Sequence, residues 1–486
     1  MALAPETLVI AAVVTPFIGA ALIPVFHRAP NPREAVTLAT AGILCLFTFS
    51  LIGPVLGGAR PEFDIVQVAP GLDLAFKVEP LGLLFALVAS SLWVVNSIYS
   101  IGYMRGNSEP RQTGFYVCFA IALGSTIGLA FAKNLFTLFL FYEALTLSTF
   151  PLVTHKRDAA AMRGGRIYLA MLLGSSLLLF LPAIVITGFY AGTLDFTPGG
   201  ILAGKADAFV ITSLLVLYVF GIGKAAVMPG HFWLPEAMVA PTPVSALLHA
   251  VAVVKAGVFT VVKVAVYILG IDVLAVAGQS QWFTLVAGFT VVAGSLVALR
   301  QDNLKRRLAY STVSQLSYIV LGVAILAPLS LIGAAIYIAA HAFSKITLFF
   351  AAGSIHTAAH LENISELDGI GRRMPWTMGA FAVGALGMIG IPPAATFLGK
   401  WFLLAGAVQA VNWVAVAVIV VSTVLNACYF LPIVYRAFFR EAPAGHPHGE
   451  APLPMVIAVT ATAIGTVALF VFSALPYNLA TLMMGR

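Results

Sequence analysis

Long apolar runs, each near the length of one bilayer crossing, alternate along this chain with short breaks rich in charge, proline or glycine. About 20 apolar residues cross a hydrocarbon core about 30 Å thick as one helix. The pattern therefore predicts about fourteen transmembrane helices, over 5–27, 35–57, 80–104, 112–132, 133–154, 165–190, 207–228, 242–270, 281–300, 309–327, 329–357, 376–405, 410–436 and 452–474. The expected fold is all-α and integral to the membrane, with residues 1–486 as a single transmembrane domain. Two helices are predicted to be broken. Pro229, Gly230, Pro235, Pro241 and Pro243 crowd the end of the seventh, and Pro392 and Pro393 interrupt the twelfth. The first run has no basic segment before it and no small-residue cleavage site after it, so it reads as a retained helix rather than a signal peptide.

Composition agrees with the pattern. Of 486 residues 60% are hydrophobic and 9% charged, against about 25% charged in an ordinary soluble domain. Cys45, Cys118 and Cys428 lie far apart in apolar segments, so no disulfide framework, zinc knuckle or iron–sulfur spacing arises. No glycine-rich dinucleotide fingerprint or phosphate-binding lysine loop occurs. No cofactor or metal is expected, and redox or ATP chemistry falls to other chains. His231 and His249 have no second ligand nearby, and HPHGE at 446–450 reads as a solvated loop.

The net charge of +7 has its explanation in topology rather than nucleic-acid binding. The odd-numbered predicted loops hold sixteen basic residues: Arg28, Arg33, Arg105, Arg111, Lys156, Arg157, Arg163, Arg166, Arg300, Lys305, Arg306, Arg307, Arg372, Arg373, Arg436 and Arg440. The even-numbered loops hold Arg60, Lys77, Lys133 and Lys205. Lys and Arg collect in cytoplasmic loops, which puts both termini on the non-cytoplasmic side.

Five basic residues remain inside helices, and all are lysines: Lys224, Lys255, Lys263, Lys345 and Lys400. Glu143 is the one acid predicted well inside a span. Each such group costs about 2.5–3.5 kcal/mol at mid-bilayer, on the order of 15–20 kcal/mol for six unless they are paired or hydrated. Lysine can give up its proton when desolvated, whereas arginine stays charged almost anywhere. A row of buried lysines can therefore exchange protons. Glu143 is the natural partner for one of them, with a static ion pair as the alternative. His341 and Lys345, four residues apart, share a helix face. His249 and Lys255 lie on the eighth helix, and His356 lies near the end of the eleventh. Lys263 either joins the row or snorkels to an interface.

Lys224 and Lys400 each sit beside a helix break, 176 residues apart. Paired broken helices mark transport sites in repeat-built transporters. Helices four to eight, over 112–270, and nine to thirteen, over 281–436, would be the two repeats, inverted because each holds five helices. Shifting Lys255 by the repeat offset lands near Leu431, where Asn426 and Tyr429 are the nearest polar groups, so the halves are not equivalent.

These residues carry a resemblance. HFWLPEAM, APTPVSALLHA at 240–250, the FYEAL glutamate and the IPP…GKW segment resemble the antiporter-like family shared by Mrp-type cation/proton antiporters, proton-pumping subunits of respiratory complex I and membrane-bound hydrogenases. The D-type subunit of Mrp antiporters is the most similar. The resemblance implies fourteen helices, inverted five-helix repeats, and a Glu143–Lys224 pair in the first half-channel. It also implies relay groups at His249 and Lys255 and an exit lysine at Lys400; the sequence itself offers His341 and Lys345 as the link between the halves. It implies proton transport against Na⁺ in a bacterial-type inner membrane, beside other membrane subunits of an antiporter or a respiratory complex. A solute symporter would need a pocket for an organic ligand, and both breaks offer lysine instead.

Overall fold

The computed structural model describes residues 3–442 and 449–485. His446 and His448 of the HPHGE stretch lie outside the described residues. Helices occupy each of the predicted intervals, and among the described residues eleven are long and apolar enough to cross a membrane. Ala208–Gly221 and Pro375–Ile389 are shorter apolar helices that end at the predicted breaks.

Local sequence sets the ends. Proline occupies the first turn of Pro5–Leu22, Pro30–Ser50, Pro80–Gly106, Pro328–Ala359 and Pro375–Ile389, where its missing N–H costs nothing. Asn134, Asp158, Asp207, Asn303 and Asn412 each accept a bond from the backbone N–H three residues on, satisfying a donor the first turn leaves free. Glu450 does the same from a distance, accepting from the Trp376 and Thr377 N–H groups at 2.7 and 3.3 Å. This part of the expected solvated loop is a tertiary cap.

One element falls outside the predicted pattern. Glu62–Ala69 and Leu72–Lys77 form an antiparallel hairpin pairing Glu62 with Lys77 and Phe63 with Phe76. Gly71, at φ +77°, makes the turn. A register shift between Asp64 and Val66 interrupts the alternation, which hides the period-two signal.

Burial sorts the helices into layers. The stretch Thr242–Leu269 is fully enclosed, and Pro328–Ala359 and Pro80–Gly106 nearly so. Ala159–Ala191, Trp413–Phe439 and Leu453–Val471 form part of the rim, where exposed residues such as Leu178, Phe189, Val424 and Ile464 face outward. An apolar rim around an enclosed polar centre is what a lipid solvent requires.

Lys263 does not snorkel. It is wholly buried, its ammonium donates to the Ala132 carbonyl at 2.8 Å, and the Glu79 carboxylate lies 3.6 Å away. Lys263→Met alone would strand Glu79 and is expected to cost about 3–5 kcal/mol, read as a lower unfolding temperature in detergent. Glu79→Gln with Lys263→Met should recover most of that loss. Equal melting of the single and double variants would remove the pair from the stability account.

Candidate functional site

The remaining four lysines lie in the enclosed layer, with Lys224, Lys255 and Lys345 at 0% and Lys400 at 6% exposure. Ammonium groups there must be satisfied by protein atoms or water. Each finds neutral oxygens or an imidazole.

Lys224 sits in a single tight turn, Gly223–Ala225, just past the end of the Ala208–Gly221 helix. Trp233 Nε1 donates to the Gly223 carbonyl at 3.0 Å and the Lys224 N–H donates to the Tyr142 hydroxyl at 3.1 Å, so both sides of the break are tied down. The Lys224 ammonium donates to the Tyr142 carbonyl at 2.8 Å and Thr146 Oγ1 at 2.6 Å, and lies 3.2 Å from the centre of the Tyr142 ring. Gly257 allows the approach, since a Cβ there would come within 2.3 Å of the Lys224 carbonyl carbon.

The expected Glu143–Lys224 pair is not formed in this structure. Tyr142 and Thr146, one turn apart, face Lys224, and the adjacent position is rotated about 100° around the helix. Glu143 thus leaves the helix between the face turned to Lys224 and the exposed edge marked by Leu140 and Leu147, and is itself half-buried. Both its carboxylate oxygens are buried and without a hydrogen-bond partner among the described residues.

Lys255 meets His341, Nζ to Nδ1 at 2.6 Å. His249 lies on the same enclosed stretch, in the widened turn Leu247–Val251, with its ring 4.7 Å from that of Phe349 and neither nitrogen hydrogen-bonded among the described residues. The expected link between Lys255 and the eleventh predicted helix therefore runs to His341 and bypasses His249.

From Lys345 a hydrogen-bonded run continues to the second break. Lys345 donates to Ser311 Oγ at 2.8 Å, and the Tyr429 hydroxyl lies 3.2 Å from that oxygen while donating to Asn426 Oδ1. Asn426 Nδ2 and Gln315 Nε2 each reach the Met388 carbonyl at 3.5 Å, and Tyr337 donates to Gln315. Lys400 donates to the same carbonyl at 3.3 Å, to that of Ile389 at 2.9 Å, and to Thr423 Oγ1 at 3.4 Å. These carbonyls end the Pro375–Ile389 helix, and Lys400 belongs to the following one, Ala395–Gln409. The Pro392–Pro393 interruption thus creates the acceptors that the lysine beyond it uses.

Asn426 and Tyr429, the polar groups nearest the repeat offset, are links in this run. Ser311, Gln315, Tyr337 and the Met388 carbonyl are not singled out by the sequence motifs. The one signal, for Ser311 and Gln315, is an uncommonly polar helical face, STVSQLSY at 311–318.

A second charged cluster lies at one end of the bundle. Glu109 and His155 approach to 3.6 Å, and His356 Nδ1 lies 3.3 Å from Glu362. The His155 imidazole holds the Glu109 carboxyl below its usual range, against the opposing effect of burial.

The enclosed lysines, the two broken helices and the apolar rim define a multi-pass membrane protein built around a polar, proton-bearing core. The family described as "NADH:quinone oxidoreductase/Mrp antiporter, TM" matches residues 132–426, more than half of the chain, and the chain belongs to it. It is 31% identical over 466 residues to an NADH-quinone oxidoreductase subunit N of Desulforudis audaxviator, covering 91% of each chain. It is 30% identical over 449 residues to the hydrogenase-4 component B of Escherichia coli, covering 84% of this chain and 66% of that protein. Its fold matches a chain of the Mrp complex from Dietzia sp. DQ12-45-1b with a TM-score of 0.88 at 22% identity, over 99% of this chain and 97% of that one.

Gly257→Ala is expected to cost about 1–3 kcal/mol by overpacking and to displace Lys224 from Tyr142 and Thr146. Thermal unfolding in detergent measures the first. An unchanged melting temperature would mean that the Gly223–Ala225 turn has slack.

Proposed function

We propose that the chain is the proton-translocating subunit of a multisubunit monovalent cation/proton antiporter, with Na⁺ as the exchanged cation and other membrane subunits as partners. The observation that supports this most is the run of neutral acceptors holding buried ammonium groups from Lys224 to Lys400. A lysine bound to carbonyls and hydroxyls, rather than locked to a carboxylate, can release its proton without leaving a buried negative charge.

On this reading H⁺ passes along Lys224, Lys255 with His341, Lys345 and Lys400, with His249 feeding the centre. Glu143, its carboxylate buried beside the Tyr142–Thr146 turn, biases the protonation of Lys224. The two broken segments belong to repeats over 112–270 and 281–436 with inverted topology. Charge asymmetry supports placing the sixteen-residue basic side in the cytoplasm and both termini outside.

Lys224→Ala is expected to abolish cation-driven proton movement in everted vesicles, by at least about tenfold, with the complex still assembled; Glu143→Ala should do the same. Full residual transport in both would remove the proposal. Tyr429→Phe, which cuts the run between Ser311 and Asn426, should slow transport by about threefold to tenfold. For orientation, alkaline phosphatase fused after Gly485 should be active and a fluorescent protein there dark; the opposite pattern inverts the topology.

A second reading is favoured by the near-complete coverage of the subunit N relative. In it the same lysines move protons for a redox-driven complex whose electron carriers lie in other chains. Co-purification decides between them: flavin and iron–sulfur proteins support the second reading, and small membrane proteins alone support the first.

A further inference from the structure

On the rim, the helices Pro375–Ile389 and Leu453–Val471 do not close on each other along their whole length. An apolar groove of about 660 Å³ runs between them, walled by Pro375, Trp376, Val383, Ile464 and Val467 over a floor of small residues. That volume lies within the roughly 300–1,000 Å³ of sites that take apolar ligands. Gly379 belongs to the floor, and a Cβ there would meet no atom within 4 Å.

The groove has the depth of one leaflet. On the first helix its lining runs from Pro375 to Val383, a rise of about 12 Å, and half of a hydrocarbon core about 30 Å thick is about 15 Å. Just past Ala468, the last lining residue on the second helix, the rings of Phe470 and Phe397 meet at 6.4 Å and join that helix to Ala395–Gln409. A partner's spanning helix would need a channel across the full bilayer. An acyl chain entering from one side needs only half.

The outer end of the groove carries positive charge. Arg372, in the short turn Ile370–Arg373 that leads into Pro375, is exposed and makes no hydrogen bond or ion pair among the described residues. Asp368 is held by Arg436 and Arg440, and Glu450 accepts from the Trp376 and Thr377 N–H groups and the Thr377 hydroxyl, so neither is left to pair with Arg372. Trp376 is 65% exposed beside it, as indoles are at the level of lipid headgroups.

We propose that this groove binds an anionic phospholipid, with one acyl chain laid along Gly379 and Ala463 and the phosphodiester on Arg372. The chain wedges Pro375–Ile389 away from Leu453–Val471 and so sets where the first helix ends. Its last carbonyls, Met388 and Ile389, are the acceptors of Lys400. The lipid therefore bears on the second helix break without touching it.

The test uses the intact complex, stripped of lipid in detergent and then exposed to phosphatidylglycerol. Native mass spectrometry should find that lipid retained. Arg372→Gln should lower retention about fivefold, and Gly379→Phe, which fills the floor, should abolish it while the lipid-free unfolding temperature stays unchanged. A photo-cross-linking residue in place of Trp376 should capture phospholipid. Equal retention by the wild type and both variants, or capture of another subunit instead, would overturn the site. In vesicles, proton movement should be about threefold faster with phosphatidylglycerol present than in phosphatidylcholine alone, and Gly379→Phe should erase the difference. Retention without that difference would keep the site and overturn its bearing on Lys400. Retention is read without transport, so it stands or falls apart from the function proposed above.

Discussion

A positive charge enclosed by apolar helices must be met by something within reach, and this constraint governs the architecture. One lysine meets it with a carboxylate: Lys263 is bound to Glu79 and to the Ala132 carbonyl. The other four meet it with carbonyls, hydroxyls and an imidazole. A carboxylate partner stabilises the charged form of both groups and resists its loss. Neutral oxygens leave no stranded anion when the ammonium gives up its proton. The same residue type is therefore a structural tie at Lys263 and is held by uncharged partners at Lys224, Lys345 and Lys400.

A helix break supplies two of those partners. A continuous helix engages its own carbonyls, so an interior one such as that of Tyr142 offers only its second lone pair, whereas the last carbonyls of an interrupted helix are free. Ending Pro375–Ile389 ahead of the Pro392–Pro393 pair frees the Met388 and Ile389 oxygens for Lys400. The turn at Gly223–Ala225 lets Lys224 leave its helix and reach across to Tyr142 and Thr146. The polar helix Leu304–Ala324 joins the two regions by presenting Ser311 and Gln315 to the enclosed layer.

Much of this is legible in the sequence, because a bilayer imposes a strict length and polarity on each crossing. Helix positions, both breaks, the enclosed lysines and the membership of the family follow from runs, prolines and short motifs. Pairings are less legible. Charge alone matches Glu143 to Lys224, but one residue of helical register puts Tyr142 and Thr146, not the carboxylate, in hydrogen-bond contact with the ammonium. Glu79 precedes its helix by one position and so looks like a loop residue, although its partner Lys263 lies 184 positions away in the chain. Arg307, counted among the loop charges, is buried and donates to the Gln301 and Tyr429 carbonyls at 2.8 and 3.1 Å. The hairpin escapes because its bulge breaks the alternation that marks a strand.

Lys400 spans the joint of its own broken helix. Rooted in the second segment, it grips the last carbonyls of the first, so it acts as a latch between two rigid rods. When the amine gives up H⁺ it keeps fewer donors for the three oxygens around it, and the latch weakens; when the rods swing apart, those oxygens withdraw and the ammonium loses its support. Spreading of this joint and loss of the charge therefore favour one another, each removing what holds the other in check.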